Sequence, residues 1–140
     1  MSKTITPLHV IVPACREQLP QVAEAIHGFG CVAGWSEDTC LQIDLVLEEM
    51  LVNIMDYGYP AGVSGYIEID LAVTREGIQI TLIDDGVAFD PWQQSAPDLG
   101  VPIEDRVIGG LGLHLVKTIM DSFSYSYENG RNRTLLTKVL

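Results

Sequence analysis

Apolar and polar positions recur along this chain with two different periods. From Tyr66 to Thr74 the period is two. Ile67, Ile69, Leu71 and Val73 share one side and Glu68, Asp70 and Thr74 the other, the pattern of a strand with one buried face. Ile78, Ile80 and Leu82 repeat it after the tight turn Arg75-Glu76-Gly77, which predicts a second strand over Ile78–Ile83. The helical period governs two earlier segments. Leu19, Val22, Ala23, Ile26 and Phe29 predict a helix from Arg16 to about Cys31. Ser36 has the character of an N-cap, with acids in the turn after it, and opens a long helix from Glu37 to about Tyr57 that Gly58, Pro60 and Gly62 end. A β-rich run over Thr4–Val12 carries Pro7, which suits a strand start or an edge strand. Leu111 to about Asp121 is helical, and Phe123–Tyr127 and Thr134–Val139 are two closing strands about an Asn129-Gly130 turn. The order predicts an α+β fold, a two-layer α/β sandwich with a mixed, mostly antiparallel sheet and helices on one face.

The segment from Gly86 to Gly110 fits neither period and is rich in Gly, Pro, Asp and Gln. A loop that long within a small domain is usually a lid or a binding loop. With no linker or repeat in view, residues 1–140 read as one domain with a lid at about 91–110.

Composition narrows the chemistry. Apolar residues make up 47% of the 140, enough for a buried core. No stretch approaches the roughly 18 apolar residues of a membrane span, and MSKTITPLHV lacks the features of a signal peptide, so a cytoplasmic protein is expected. Cys15, Cys31 and Cys40 have no paired spacing and read as reduced thiols. The net charge of −11 argues against direct nucleic-acid binding, which needs clustered Lys and Arg. It would also repel a nucleotide, so a phosphate site here requires a divalent cation and local backbone donors.

Three clusters carry candidate chemistry. Glu49 and Asn53, four apart, project from one side of the long helix. The amide oxygen suits a hard cation such as Mg²⁺ and the carboxylate suits a general base; the same spacing also describes a solvated polar stripe. Asp84 continues the inward face of Ile78, Ile80 and Leu82, where a charge requires a partner, and Gly86 follows where the backbone could approach a ligand. Asp84 could accept from a base amino group, or the run could be a simple strand-end turn. Gly109, Gly110 and Gly112 surround a helix start, which can cradle phosphate or serve as a flexible entry. Their spacing is neither that of a P-loop nor that of a strand-linked dinucleotide fingerprint. Arg106, within the lid segment, could reach a phosphate or a protein partner.

Together the clusters resemble those of the GHKL (histidine-kinase-like) ATPases, and more narrowly the anti-sigma-factor serine/threonine kinases, also called switch-protein kinases. EEMLVNIMDYGYP resembles the N box, IDDGVAFDP the first glycine box and GGLGLHLVKTIMD the second. The resemblance implies Glu49 as catalytic base, Asn53 as the Mg²⁺ ligand and Asp84 as the adenine contact, with Gly86 beside it. It implies Gly110, Leu111 and Gly112 in the phosphate-facing turn and Thr134 near the nucleotide. Two departures stand out: Tyr57 where many relatives have His, and Val87-Ala88 where many have a second glycine or proline.

What the resemblance implies is an ATP- and Mg²⁺-dependent kinase. It would phosphorylate an anti-anti-sigma (STAS-type) protein, sequester a sigma factor to regulate transcription, and act as a homodimer. The alternative is a non-catalytic module that uses ATP only as a conformational ligand for protein binding.

Overall fold

A computed structural model describes residues 5–93 and 110–140. Most of the expected lid, together with Arg106, lies outside the described residues.

Strand β1 (Leu8–Pro13) opens the fold one residue after Pro7, whose fixed φ and missing N–H suit a strand start. A 3-10 turn over Arg16–Gln18 then leads into helix α1 (Leu19–Ala33). The sequence periodicity runs through both. The α-helix proper begins only where Pro20 falls in its first turn, the one place in a helix that tolerates a missing N–H. Ser36 caps α2 (Glu37–Gly58) as expected, its Oγ accepting from the Thr39 N–H at 3.1 Å.

The sheet comprises β2 (Tyr66–Val73), β3 (Gly77–Asp84), β4 (Ser122–Glu128) and β5 (Arg131–Val139), with β1 at one edge. Its order is β1-β2-β3-β5-β4, and all four pairings are antiparallel. The β4–β5 hairpin turns on Asn129 and Gly130, both at positive φ (54° and 75°), so β5 begins three residues earlier than the apolar pattern alone suggests.

One face of this sheet is apolar. Ile67, Ile69, Leu71, Ile80, Leu82 and Leu136 are fully buried against Ile43, Val46, Leu47 and Met50 of α2 and Val116 of helix α3 (Gly110–Ile119). The helices therefore form the second layer. The long α2 lies in the middle, packed against α1 on one side and α3 on the other. No helix among the described residues is long and apolar enough to cross a membrane.

Candidate functional site

Alternation along β3 keeps the inward register to its last residue. Asp84 consequently ends on the buried face and is 4% exposed, a carboxylate in the core layer. Both hydrogen bonds described for it fall on Oδ1, from the Gly86 N–H at 3.0 Å and from Asn132 Nδ2 at 2.9 Å. Burial pushes the Asp84 carboxyl above the usual carboxylate range, and the bonds from Asn132 and Gly86 pull it part of the way back. Oδ2 carries neither of these bonds.

Gly86 permits the chain to leave β3 across the end of α2. Its N–H neighbour Val87 donates to the Gly58 carbonyl at 2.8 Å, and a Cβ on Gly86 would meet that same oxygen at 2.6 Å. A second tie is Tyr59, whose hydroxyl donates to Asp85 Oδ1 at 2.5 Å and accepts from the Asp85 N–H at 3.1 Å. The bond from Tyr59 holds Asp85 below the usual carboxylate range, so Asp85 stays charged beside its partner while Asp84 is raised. These bonds fix the C-terminal end of α2 against the end of β3.

From that end, α2 aims two polar side chains back along the layer. Asn53 is 4% exposed, and its Oδ1 is buried with no hydrogen-bond partner among the described residues. Such an atom is costly unless something binds it, and a hard amide oxygen is the donor type that Mg²⁺ takes. One turn earlier stands Glu49. Its carboxylate lies directly over Gly112 in the first turns of α3: a Cβ at Gly112 would meet Glu49 Cδ at 2.7 Å. Burial, and then the neighbouring Glu48 carboxylate, push Glu49 up. Gly110 and Leu111 begin α3, next to this contact.

Asn53, Asp84 and Thr134 line one cavity, with Thr134 paired to Leu82 across β3 and β5. As the structure stands, the cavity measures about 10 Å³. Phe89 closes one side, its ring stacked on Tyr57 at 4.8 Å and 12°. Val87 and Pro91 line the same narrow cavity.

The residue that sequence reasoning missed is Asn132. It is 3% exposed, and its amide orientation is fixed from both ends. Oδ1 accepts from the Phe89 N–H at 3.1 Å and from the Tyr125 hydroxyl; Nδ2 donates to Asp84 Oδ1 and to the Val87 carbonyl at 3.0 Å. The signal available was register: Asn132 lies opposite Asp84, but only once β5 is known to start at Arg131. Asn132→Ala would leave the Asp84 carboxylate and the Phe89 N–H without these partners. We expect a loss of about 2–3 kcal/mol of stability in chemical denaturation. An unchanged midpoint would show that the hub holds nothing.

The helix that carries Glu49 and Asn53, the strand end that carries Asp84 and the glycine-rich start of α3 thus converge in three dimensions. The sequence profile described as the histidine kinase-like ATPase domain matches residues 12–138, nearly the whole chain. The chain belongs to the histidine kinase-like ATPase family. Among its relatives is the serine/threonine-protein kinase BtrW of Bordetella bronchiseptica, 32% identical over 103 residues, covering 74% of this chain and 72% of the relative. The serine-protein kinase RsbW of Listeria monocytogenes is 26% identical over 123 residues, covering 85% and 78%. A crystal structure of the RsbU and RsbW domains of a Mycobacterium tuberculosis protein superposes with a TM-score of 0.67 over 96% of this chain at 18% identity. This chain spans 32% of that longer one, and the likeness bears on the fold alone. Within the histidine kinase-like ATPase fold, the expected layering of helices on one face of the sheet is what is observed.

Proposed function

We propose that this chain is a cytoplasmic protein serine/threonine kinase of the anti-sigma type. It would transfer the γ-phosphate of Mg·ATP to a hydroxyl of a STAS-type anti-anti-sigma partner and hold a sigma factor when that partner is unavailable. The observation that carries the reading is the buried Asn53 Oδ1, without a partner among the described residues, in the lining it shares with Asp84. It supports a reading in which Asn53 is a cation ligand, Glu49 a base and Asp84 the acid that reads the nucleobase, on adjoining elements. The relatives named as serine kinases supply the reaction class.

Each side chain has a physical task in this reading. Asp84 Oδ2 accepts from the exocyclic amine of adenine. Asn53 Oδ1 holds the Mg²⁺ ion, which when bound neutralises phosphate charge. The N–H groups that open α3 face the phosphates, in a helix-terminal field that favours anions. Glu49 accepts the proton of the attacking hydroxyl; its raised pKa makes it a stronger base than an exposed carboxylate. Thr134 borders the base from β5.

Calorimetric titration with ATP, with and without Mg²⁺, tests the site. The expected result is binding that is strong only with Mg²⁺ and that loses this dependence in Asn53→Ala. An absence of binding under both conditions would overturn the kinase reading.

A second reading draws on the narrow cavity and the Phe89–Tyr57 stack. If nucleotide entry must displace Phe89, ATP could switch a protein-binding surface with no phosphate transfer.

A further inference from the structure

The charge of this protein is unevenly distributed. The forty residues of α1, α2 and their connection, from Leu19 to Gly58, contain seven carboxylates and no Lys or Arg; the remaining hundred contain twelve and eight. The helical layer therefore carries most of the net charge of −11.

Along the α1–α2 seam runs a groove that the nucleotide site does not use. One end has a volume of about 720 Å³ and the other about 260 Å³, and they meet at Ala23, Ile26 and Asp44. The apolar lining includes Ile26, Trp35 and Leu41. Glu24, Glu37, Asp44 and Glu48 also border it. Leu41, the most exposed large apolar side chain among the described residues at 68%, lies in this lining. An apolar floor among carboxylates, with no Lys or Arg from either helix to balance them and His27 beside them, is an incomplete surface.

We infer that the α1–α2 groove docks a cationic amphipathic helix of a partner protein. Two helices offer side chains but no free backbone edge, so an added strand has nothing to pair with; a helix laid in the groove needs only an apolar stripe. The 15 residues of α1 span about 22 Å at 1.5 Å per residue, room for a partner helix of about four turns. Its flanking Lys and Arg would meet the carboxylates on both sides, which supplies orientation and a fast encounter. Because α2 turns a different side to α3 and Gly112, this docking is separate from the ATP site and does not rest on the kinase reading.

The test uses the full chain with Trp92→Phe, leaving Trp35 as the single tryptophan reporter. The probe is a synthetic 15-residue peptide with a leucine stripe flanked by lysines. A second peptide has serine in place of each leucine at the same charge. We expect saturable one-to-one binding of the leucine peptide with a change in Trp35 emission. Affinity should weaken about tenfold or more in Leu41→Glu, and again in Glu24→Lys/Asp44→Lys. Mg·ATP binding and the melting temperature of these variants guard against a folding defect, and both are expected to stay close to those of the parent. Equal binding of the serine peptide, or full binding by Leu41→Glu, would reduce the effect to unspecific charge attraction and overturn the inference. Self-association of the chain, abolished by Leu41→Glu with no peptide binding, would overturn it in favour of a second copy.

Discussion

Asp84→Asn is expected to weaken ATP binding by at least about 100-fold while leaving the fold intact. The two donors on Oδ1, from Gly86 and Asn132, fix how the new carboxamide must sit, because only its oxygen can accept from them. The amide nitrogen then takes the place of Oδ2. A donor would face the donor of an incoming adenine, and the charge-assisted bond is lost as well, about 1.5–3 kcal/mol on its own. Stability should move the other way. Burial raises the Asp84 pKa in the folded state, so the native protein binds this proton more tightly than the unfolded chain does. Stability is consequently lost as pH rises from the ordinary carboxylate range through the raised value. The asparagine variant has no such penalty, and its unliganded melting temperature at neutral pH should equal or exceed that of the parent. Calorimetry with ATP and a thermal melt decide it. Normal ATP affinity in Asp84→Asn would show that this carboxylate reads no base.

Glu49→Gln separates catalysis from binding. The substitution keeps the shape that sits over Gly112 and removes the proton acceptor. If Glu49 is the general base, phosphate transfer from γ-labelled ATP to a STAS-type acceptor falls about 10²- to 10⁴-fold. The ATP dissociation constant should change by no more than about threefold. The parent should also show an acid limb, with activity rising as pH climbs through the raised Glu49 pKa and levelling off above it, since the base must be unprotonated. That limb should vanish in the variant. Full transfer by Glu49→Gln would remove Glu49 from the chemistry. A parent that binds ATP yet transfers nothing under any condition would favour ATP as a conformational ligand.

Much of this architecture was legible in the chain itself, because the strongest signals are local. Alternation at Ile67, Ile69 and Leu71 fixes which side of β2 is buried, since a one-residue slip would put those side chains in water. Ser36 specifies where α2 begins because its hydroxyl satisfies an N–H that the helix cannot. The inward position of Asp84 follows from the same period of two. The clusters around Glu49, Asp84 and Gly112 were visible as motifs, each with an ordinary structural explanation alongside.

The tertiary structure decided what lies across from what. Asn132 sits in a polar stretch, R-N-R-T, that carries no apolar period, and its place opposite Asp84 depends on a hairpin turn and a strand pairing 48 residues apart in sequence. The same holds for Glu49 over Gly112, for the Asn53 oxygen that has no partner among the described residues and for the Phe89–Tyr57 stack beside the cavity. Local preference is a property of a few neighbouring residues and their backbone, so the sequence by itself determined the elements, their faces and the chemistry available. Register, burial and the direction of each polar atom arise only when distant elements close on a common core, and those are what brought the three motifs together.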